Sequence, residues 1–160
     1  MSMIGMLTQL TPAQLETVAA RPQALEDMLE GQSLCLEKMW NGLQFLLEIY
    51  LARDDVIAPS ILDEAVIGGE AGEVDLGYGP ACVLQPDEVK TLAKALAGVD
   101  GKILREGFDP HEMETSDIYP RSIWSEGESV LHELMTSFVD LVAFYQDAAG
   151  KGNGMATYLT

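Results

Sequence analysis

The sequence predicts a single domain of the α/β (α+β) class, in which helices outweigh a small mixed sheet of short strands. Stretches with apolar residues three and four positions apart, the spacing of a buried helix face, cover much of the chain. The segments typical of strands are short and lie near both chain ends and in the middle. At 160 residues the chain suits one compact domain, residues 1–160, with a small sheet covered by helices.

The first third of the chain predicts one strand and two helices before the main buried helix. Residues 4–10 form a short apolar run that we interpret as a strand. Thr11 and Pro12 then begin a helix that runs to about Ala20, with Thr11 as the N-cap. Arg21-Pro22 ends this helix, and a second helix continues to Gly31.

Residues 34–52 predict the helix around which the core is built. The apolar residues recur at helical spacing, and further apolar residues fall on the other faces of the helix. Such a helix is normally buried from several sides. The residues on the main apolar face are Leu36, Met39, Trp40, Leu43, Leu46, Leu47 and Tyr50.

The middle of the chain predicts a short helix from Pro59-Ser60 and then a glycine-rich segment. Residues 68–79 hold five glycines, among them Gly68 and Gly79, together with three acidic residues. We interpret this segment as an ordered but irregular loop. Residues 81–84 follow as an interior strand, and Pro86 begins a helix that ends at Gly98.

The last third predicts an acidic segment, a long amphipathic helix and a final strand. Pro110 and Pro120 bracket the acidic segment, and Ser125 is the expected cap of the long helix. Residues 155–159 are the final strand, which we expect to lie beside the first, since each alone is too short to be stable. The apolar face of the long helix comprises Leu131, Leu134, Met135, Phe138, Leu141, Val142 and Tyr145.

Charge restricts the classes of partner. The chain has 26 acidic and 9 basic side chains, a formal charge of −17, which argues against nucleic acids and acidic membrane surfaces. It favours encounter with a basic protein. The expected partner-binding residues are six carboxylates and two aromatic side chains: Asp109, Glu112, Glu114, Asp117, Glu126, Glu128, Tyr119 and Trp124. The two aromatic side chains suit an interface, and they suit a core equally well.

Motifs for cofactors, metals and nucleophilic catalysis are not found in the sequence. The glycine-rich segment lacks a phosphate-binding pattern, and His111 and His132 lack the spacing of metal ligands. Cys35 and Cys82 lie among apolar residues, so we expect reduced, buried thiols in a cytosolic protein. The N-terminus does not have the features of a secretory signal, and we predict a cytoplasmic location without cofactor or metal.

Short matches to a known domain family run in order along the whole chain. The matching residues are Met3-Ile4-Gly5, Lys38-Met39-Trp40, Gly42-Leu43, Phe45-Leu46-Leu47, Ile67-Gly68-Gly69, Tyr78-Gly79-Pro80-Ala81, Asp87-Glu88-Val89, Ile118-Tyr119-Pro120, Trp124, Phe144-Tyr145 and Ala148-Ala149. At these residues the chain resembles the YfbM-like bacterial proteins, a domain family of unknown function. The resemblance implies a cytoplasmic α/β domain with helices on both sides of a small sheet, and it implies no activity.

The departures from the family also carry an expectation. Proteins of this family often have histidines in the segment where this chain has Asn41 and Gln44, and an arginine where it has Cys82. A reaction or metal site that depended on those groups would be lost here. In size and acidity, domains of this family are similar to the immunity proteins that neutralise bacterial toxins, which is an analogy of class.

Three functional hypotheses follow. The first is a non-enzymatic, immunity-type binding protein whose acidic surface occludes the active site of a basic cognate toxin. The second is an enzyme or small-molecule-binding domain with a pocket near residues 68–79 and 34–52, lined by Trp40, Asn41, Gln44 and Tyr78. The third is a housekeeping domain whose charge serves solubility alone.

Overall fold

The structure, a computed structural model, describes residues 2–160 and contains one five-stranded sheet. The strand order is β2-β1-β5-β4-β3, and all four strand pairs are antiparallel. The α+β class is therefore confirmed, but the mixed sheet that we expected is purely antiparallel. The strands are β1 (Gly5–Leu10), β2 (Ser33–Glu37), β3 (Glu70–Asp75), β4 (Pro80–Leu84) and β5 (Gly154–Leu159).

Six α-helices and three 3₁₀-helices within residues 2–160 surround the sheet. The 3₁₀-helices span Pro22–Met28, Ser60–Glu64 and Trp124–Glu126. Among these residues, no helix combines the length and apolar character that a membrane crossing requires. The α-helices are α1 (Pro12–Ala20), α2 (Trp40–Ala52), α3 (Pro86–Ala97), α4 (Gly101–Glu106), α5 (Pro110–Thr115) and α6 (Glu128–Lys151).

The first and last strands are neighbours, as the sequence predicted, and they lie inside the sheet rather than at its edges. Strand β1 pairs with β5 along its whole length, from Gly5 opposite Leu159 to Leu10 opposite Gly154. Backbone hydrogen bonds of 2.9 and 3.0 Å between Ile4 and Thr160 extend the pairing by one residue on each strand. Folding therefore requires contacts between the first and last residues of the domain, which are slow to form.

Side chains alternate between the two faces of the sheet, so the domain has two hydrophobic cores. The larger core packs β1 residue Leu7 and β5 residue Met155 against α2, α3 and α6. The smaller core lies on the opposite face, where Leu10 and Tyr158 contact Leu15 of α1. Helical segments therefore cover both sides of the sheet, as the family resemblance implied.

The predicted helix over residues 34–52 is wrong in its first part. Residues Ser33–Glu37 form the edge strand β2, and α2 begins only at Trp40. Leu34 and Cys35 lie opposite Leu7 and Met6 of β1, so pairing across the sheet overrides the helical spacing of the leucines. The chain turns at Glu37, where φ is +50°.

Three smaller expectations are also corrected. Residues 68–79 are not wholly irregular, because Glu70–Asp75 form β3, which pairs with β4 through an irregular register. The predicted second helix is a 3₁₀-helix, Pro22–Met28. Ser125 does not cap α6, because it lies inside the preceding 3₁₀-helix and Gly127 occupies the N-cap position. The Thr11 N-cap of α1 is confirmed.

Helix α2 packs against the rest of the core through a glycine. The Trp124 ring and the Leu134 side chain lie where a Cβ atom on Gly42 would be, with Leu134 Cδ2 only 3.0 Å from that position. Trp124 is completely buried as a result. A glycine in a helix interior costs stability, and here that cost is offset by the packing of the largest side chain in the core.

A cluster of polar side chains ties β1 to the C-terminal end of α6. The Asp147 carboxylate accepts hydrogen bonds from Lys151 at 2.9 Å, from Gln9 at 2.8 Å and from Gln32 at 2.9 Å. Asn153 donates to Gln9 at 2.9 Å. The hydrogen bonds from Lys151, Gln9 and Gln32 hold the pKa of the Asp147 carboxyl group below its ordinary value.

Replacing Gly42 with alanine should lower the free energy of unfolding by about 1–3 kcal/mol, because the added methyl group overlaps the Trp124 ring. Urea denaturation measures the change. The matched control is Gly150→Ala near the end of α6, where no atom outside the surrounding backbone of the helix lies within 4 Å of the new Cβ. That variant should be neutral or slightly stabilising, since alanine is the better helix former. Equal destabilisation by both substitutions would contradict the proposed packing.

Replacing Asp147 with asparagine should change how stability depends on pH. Because the folded-state pKa of Asp147 is lowered, the charged group stabilises the fold above the unfolded pKa of about 4, and this contribution is lost as the pH falls through the folded pKa. The difference in unfolding free energy between wild type and variant should therefore shrink below about pH 4. A difference that stays constant into the acid range contradicts this. Asp140→Asn, an exposed change on the same helix, is the control.

Candidate functional site

The acidic segment, which we define as residues 109–128, is an ordered surface rather than a loose loop. It runs through α5, a connecting stretch, the 3₁₀-helix Trp124–Glu126 and the first residue of α6. Two non-glycine residues in it, Asp117 and Ser122, have positive φ, which fixes sharp turns of the backbone. The segment exposes five carboxylates to solvent: Asp109, Glu112, Asp117, Glu126 and Glu128.

Two of these exposed carboxylates also have local structural roles. Asp109 is the N-cap of α5, and its side chain accepts a hydrogen bond from the Glu112 backbone N–H at 3.1 Å. Asp117 forms an ion pair with Arg121 at 3.2 Å. The side-chain carboxylates of Glu112, Glu126 and Glu128 accept no hydrogen bond in the described chain, so they remain available to a partner, although the Glu128 carboxylate lies 3.6 Å from Arg105.

Glu114 braces the segment from inside. Its two carboxylate oxygens accept hydrogen bonds from the backbone N–H groups of Ser122 at 3.0 Å and Trp124 at 3.2 Å. The side chain is partly buried, and it links α5 to the chain that follows. Of the six carboxylates that the sequence predicted for partner binding, Glu114 is thus the one whose two oxygens both accept from the protein's own backbone.

The prediction that Trp124 contacts a partner is wrong. The side chain has no exposed surface, and its indole N–H donates to the carbonyl of Ile118 at 2.9 Å. A side chain that packs against Gly42 in the main core cannot reach a partner without unfolding. Trp124 instead anchors the acidic segment to α2.

Tyr119 is half-buried, and its contacts attach the acidic segment both to the N-terminus of the chain and to the start of α2. Its ring stacks on Trp40 with 6.1 Å between centroids and 29° between planes. Its hydroxyl accepts a hydrogen bond from the Met3 N–H at 3.0 Å, and its own backbone N–H donates to Asn41 Oδ1 at 2.8 Å. Only part of Tyr119 therefore remains for an interface.

The polar side chains at the start of α2 position backbone groups. Trp40 donates from its indole N–H to the Met3 carbonyl at 3.2 Å, and Asn41 accepts from Tyr119 as described. Gln44 donates to the Asp63 carbonyl at 2.7 Å and to Glu48 at 3.1 Å. The Gln44 Oε1 atom is buried without a donor in the described chain. These contacts connect α2 to its neighbours.

Tyr78, the fourth residue of the hypothetical pocket, lies elsewhere. It belongs to the turn between β3 and β4, whereas Trp40 packs over Gly5 of β1. Strand β5 separates β4 from β1 in the sheet. The structure therefore does not bring Tyr78 together with Trp40, Asn41 and Gln44. Five surface clefts of the described chain are lined by other residues.

The two cysteines are free, and the expectation that they are buried is wrong. Cys35 is exposed on the edge strand β2, and Cys82 on β4 is partly exposed. Desolvation, together with the nearby Glu37 carboxylate, raises the pKa of the Cys35 thiol. Desolvation also raises the pKa of Cys82. Within residues 2–160, no group of three or more histidine, cysteine, aspartate or glutamate side chains is arranged to hold a metal ion.

Cations near the acidic segment compensate little of its charge. Arg121 and Arg105 form ion pairs with Asp117 and Glu128, and the side chains of these pairs are 44–89% exposed. Exposed pairs of this kind contribute about 0–1 kcal/mol each. The segment therefore presents a negative potential on a braced backbone.

These features define the protein as an α+β domain with one antiparallel sheet, two hydrophobic cores and an ordered acidic surface. The family model described as "Domain of unknown function (DUF1877)" matches residues 1–158, and the chain belongs to this family. The chain is also similar to the crystal structure of YfbM, a protein of unknown function from Escherichia coli. The TM-score is 0.78 at 21% sequence identity, covering 98% of this chain and 99% of that one. No curated protein matches the chain.

Replacing Glu114 with glutamine should destabilise the fold by about 1–3 kcal/mol, because one of two backbone N–H groups loses its acceptor and the other loses a charged one. Native-state hydrogen exchange should show faster exchange at Ser122 and Trp124. Glu112→Gln, on the exposed face of the same short helix, is the matched control and should leave both rates unchanged. Unchanged exchange at Ser122 and Trp124 in Glu114→Gln would show that Glu114 does not brace the segment.

Proposed function

We propose that this protein is a non-enzymatic binding protein that uses the acidic segment to engage a basic protein. The observation that carries the proposal is the set of exposed carboxylates on a backbone fixed by Glu114, Asn41 and Trp124. A surface that is ordered before binding avoids much of the entropy cost of ordering it on binding.

Electrostatic attraction would act mainly on the rate of association. A chain with a formal charge of −17 and an exposed acidic surface attracts a basic partner over a distance of several ångströms, and salt screens this attraction. Charge complementarity of this kind also selects against acidic competitors. We therefore assign steering to Glu112, Glu126 and Glu128, and short-range contact to the half-buried Tyr119.

The narrower form of the proposal is an immunity-type function. In it the partner is the basic catalytic domain of a cognate bacterial toxin, and the bound acidic surface occludes its active site in the cytoplasm. The support is the analogy of size and acidity and the braced acidic surface. Co-expression of the chain with the captured partner tests this form: the chain should restore the growth of cells that the partner alone arrests.

Reversing Glu112, Glu126 and Glu128 together to lysine should slow association with the partner at least about tenfold at low salt. These three are chosen because their carboxylates accept no hydrogen bonds, whereas the Asp109 carboxylate caps α5 and the Asp117 carboxylate pairs with Arg121. The partner is first captured from the native host on immobilised wild-type chain at low salt. Association rates are then measured by surface plasmon resonance at low and high ionic strength.

The matched control reverses Glu16, Glu70 and Glu73, which are exposed on other parts of the surface. Each reversal adds two positive charges, so both triple variants have a formal charge of −11 instead of −17. Slower association only in the first variant supports the assigned surface. Equal slowing in both variants assigns the effect to net charge, and unchanged rates in the first variant contradict the proposal.

A further inference from the structure

The two edges of the sheet differ in how they are protected. Edge strand β3 has three carboxylates, an irregular register with β4, and the 3₁₀-helix Pro22–Met28 packed against it. Charges and irregular pairing of this kind stop an edge from adding another strand. Edge strand β2 has neither a lysine nor a proline, and its single carboxylate lies at its end. β2 is therefore the open edge of the sheet.

The backbone hydrogen bonds of β1 alternate between its two neighbours. Ile4 and Thr160 exchange two hydrogen bonds next to β1 and β5, so every second residue of β1 counted from Ile4 bonds β5. The residues between them, Leu7 and Gln9, consequently bond the β2 side. The Gln9 N–H indeed donates to the Gln32 carbonyl, just before β2, at 2.9 Å. This alternation fixes the direction of the backbone groups in β2.

Strand β2 directs the backbone groups of Ser33 and Cys35 away from the sheet. Leu34, between them, lies opposite Leu7 and bonds it. Neighbouring residues of an extended strand direct their N–H and C=O groups to opposite sides, so Ser33 and Cys35 face outward. Within residues 2–160, no strand lies on that side and no loop backbone pairs with them. Their N–H and C=O groups have the spacing that an added strand requires.

A cleft of about 390 Å³ lies beside this open edge, between β2 and the N-terminal half of α6. Glu37 and Glu133 line the cleft, and both are exposed. Neither forms an ion pair within residues 2–160. Alternate side chains of a strand point to the same face, so those of an added strand that point toward α6 would enter this cleft.

The cleft adjoins the acidic segment at two places. His132, in the wall formed by α6, lies one helical turn after Glu128. Met39, in the wall formed by the chain after β2, directly precedes Trp40, whose ring stacks on Tyr119. The open edge and the acidic segment therefore form one continuous surface.

The charges around the cleft are almost all negative. Residues 30–38 and 126–137, which form its two sides, contain five carboxylates and one cation, Lys38. Arg105 reaches Glu128 from outside these segments, but both side chains are exposed and the pair compensates little of the charge. The five carboxylates are Glu30, Glu37, Glu126, Glu128 and Glu133.

We infer that the basic partner binds through an extended segment that adds a strand to β2 and places basic side chains in the cleft. The inference rests on the proposed function, because it names the part of the partner that the acidic surface receives. The outward groups of Ser33 and Cys35 bond the backbone of the segment, while Glu37 and Glu133 select its charge. A second copy of this chain does not suit the cleft, since two chains of −17 repel each other.

An NMR titration of the isotope-labelled full chain at low salt, with an octapeptide of alternating lysine and valine, tests the inference. The matched probe is the same peptide methylated on every backbone nitrogen, which keeps the charge and side chains but removes the N–H donors. The unmethylated peptide should slow amide exchange at Ser33 and Cys35. It should also bind at least about tenfold more tightly than the methylated one, because only it can pair with the open edge.

Cys35→Pro tests the same contact from the side of the protein. It removes an N–H that faces away from β1, a position at which an edge strand tolerates proline. The variant should bind the unmethylated peptide at least about tenfold more weakly, whereas Cys35→Ala should bind it like the wild type. Circular dichroism confirms that both variants are folded, and the comparison of the two peptides on the wild type does not depend on either.

Three results overturn the inference: no binding of the unmethylated peptide, equal affinity for both peptides, or unchanged exchange at Ser33 and Cys35. Each leaves the proposed function standing, because charge alone can still attract a basic protein. The proposed function fails instead if reversing Glu112, Glu126 and Glu128 leaves the association rate of the captured partner unchanged. The two failures are therefore distinguishable.

Discussion

The packing of Trp124 against Gly42 is the contact on which the acidic half of the molecule depends. It joins the centre of the main core to the segment that carries the exposed carboxylates. Without a glycine at this position of α2 the indole ring would not fit, and the backbone of residues 118–124 would lose its anchor. Charged residues of the same sign repel one another, so an acidic surface needs such an apolar anchor to remain ordered.

The hydrogen bonds around this anchor form a single connected network. Trp124 donates to Ile118, the next residue, Tyr119, donates to Asn41, and Glu114 accepts from Trp124 and from Ser122. Every link is a bond to backbone, so the network fixes chain geometry rather than side-chain position. Asn41, which was a candidate for a pocket, therefore supports the acidic surface, whereas Gln44 bonds Glu48 and the Asp63 carbonyl.

Sequence reasoning predicted those elements whose signals are local. Thr11 and Pro12 mark the start of α1, Pro86 marks the start of α3, and apolar spacing identifies α6. It failed where pairing across the sheet decides the structure. The leucines at 34 and 36 fit the helical pattern that follows them, and only the neighbouring β1 makes this stretch a strand. Similarly, the glycines of residues 68–79 concealed β3, which pairs with β4 through an irregular register.

The sequence predicted the negative charge of the candidate site, but it did not predict the geometry of the site. Composition alone indicates an acidic surface, but nothing local separates Glu114, which braces the backbone, from Glu112, which faces solvent two positions earlier. The sequence likewise does not show that Ile57, in the loop after α2, is fully exposed, because that depends on how the loop lies beside α3. Burial is a tertiary property, and only strong periodicity reveals it in a sequence.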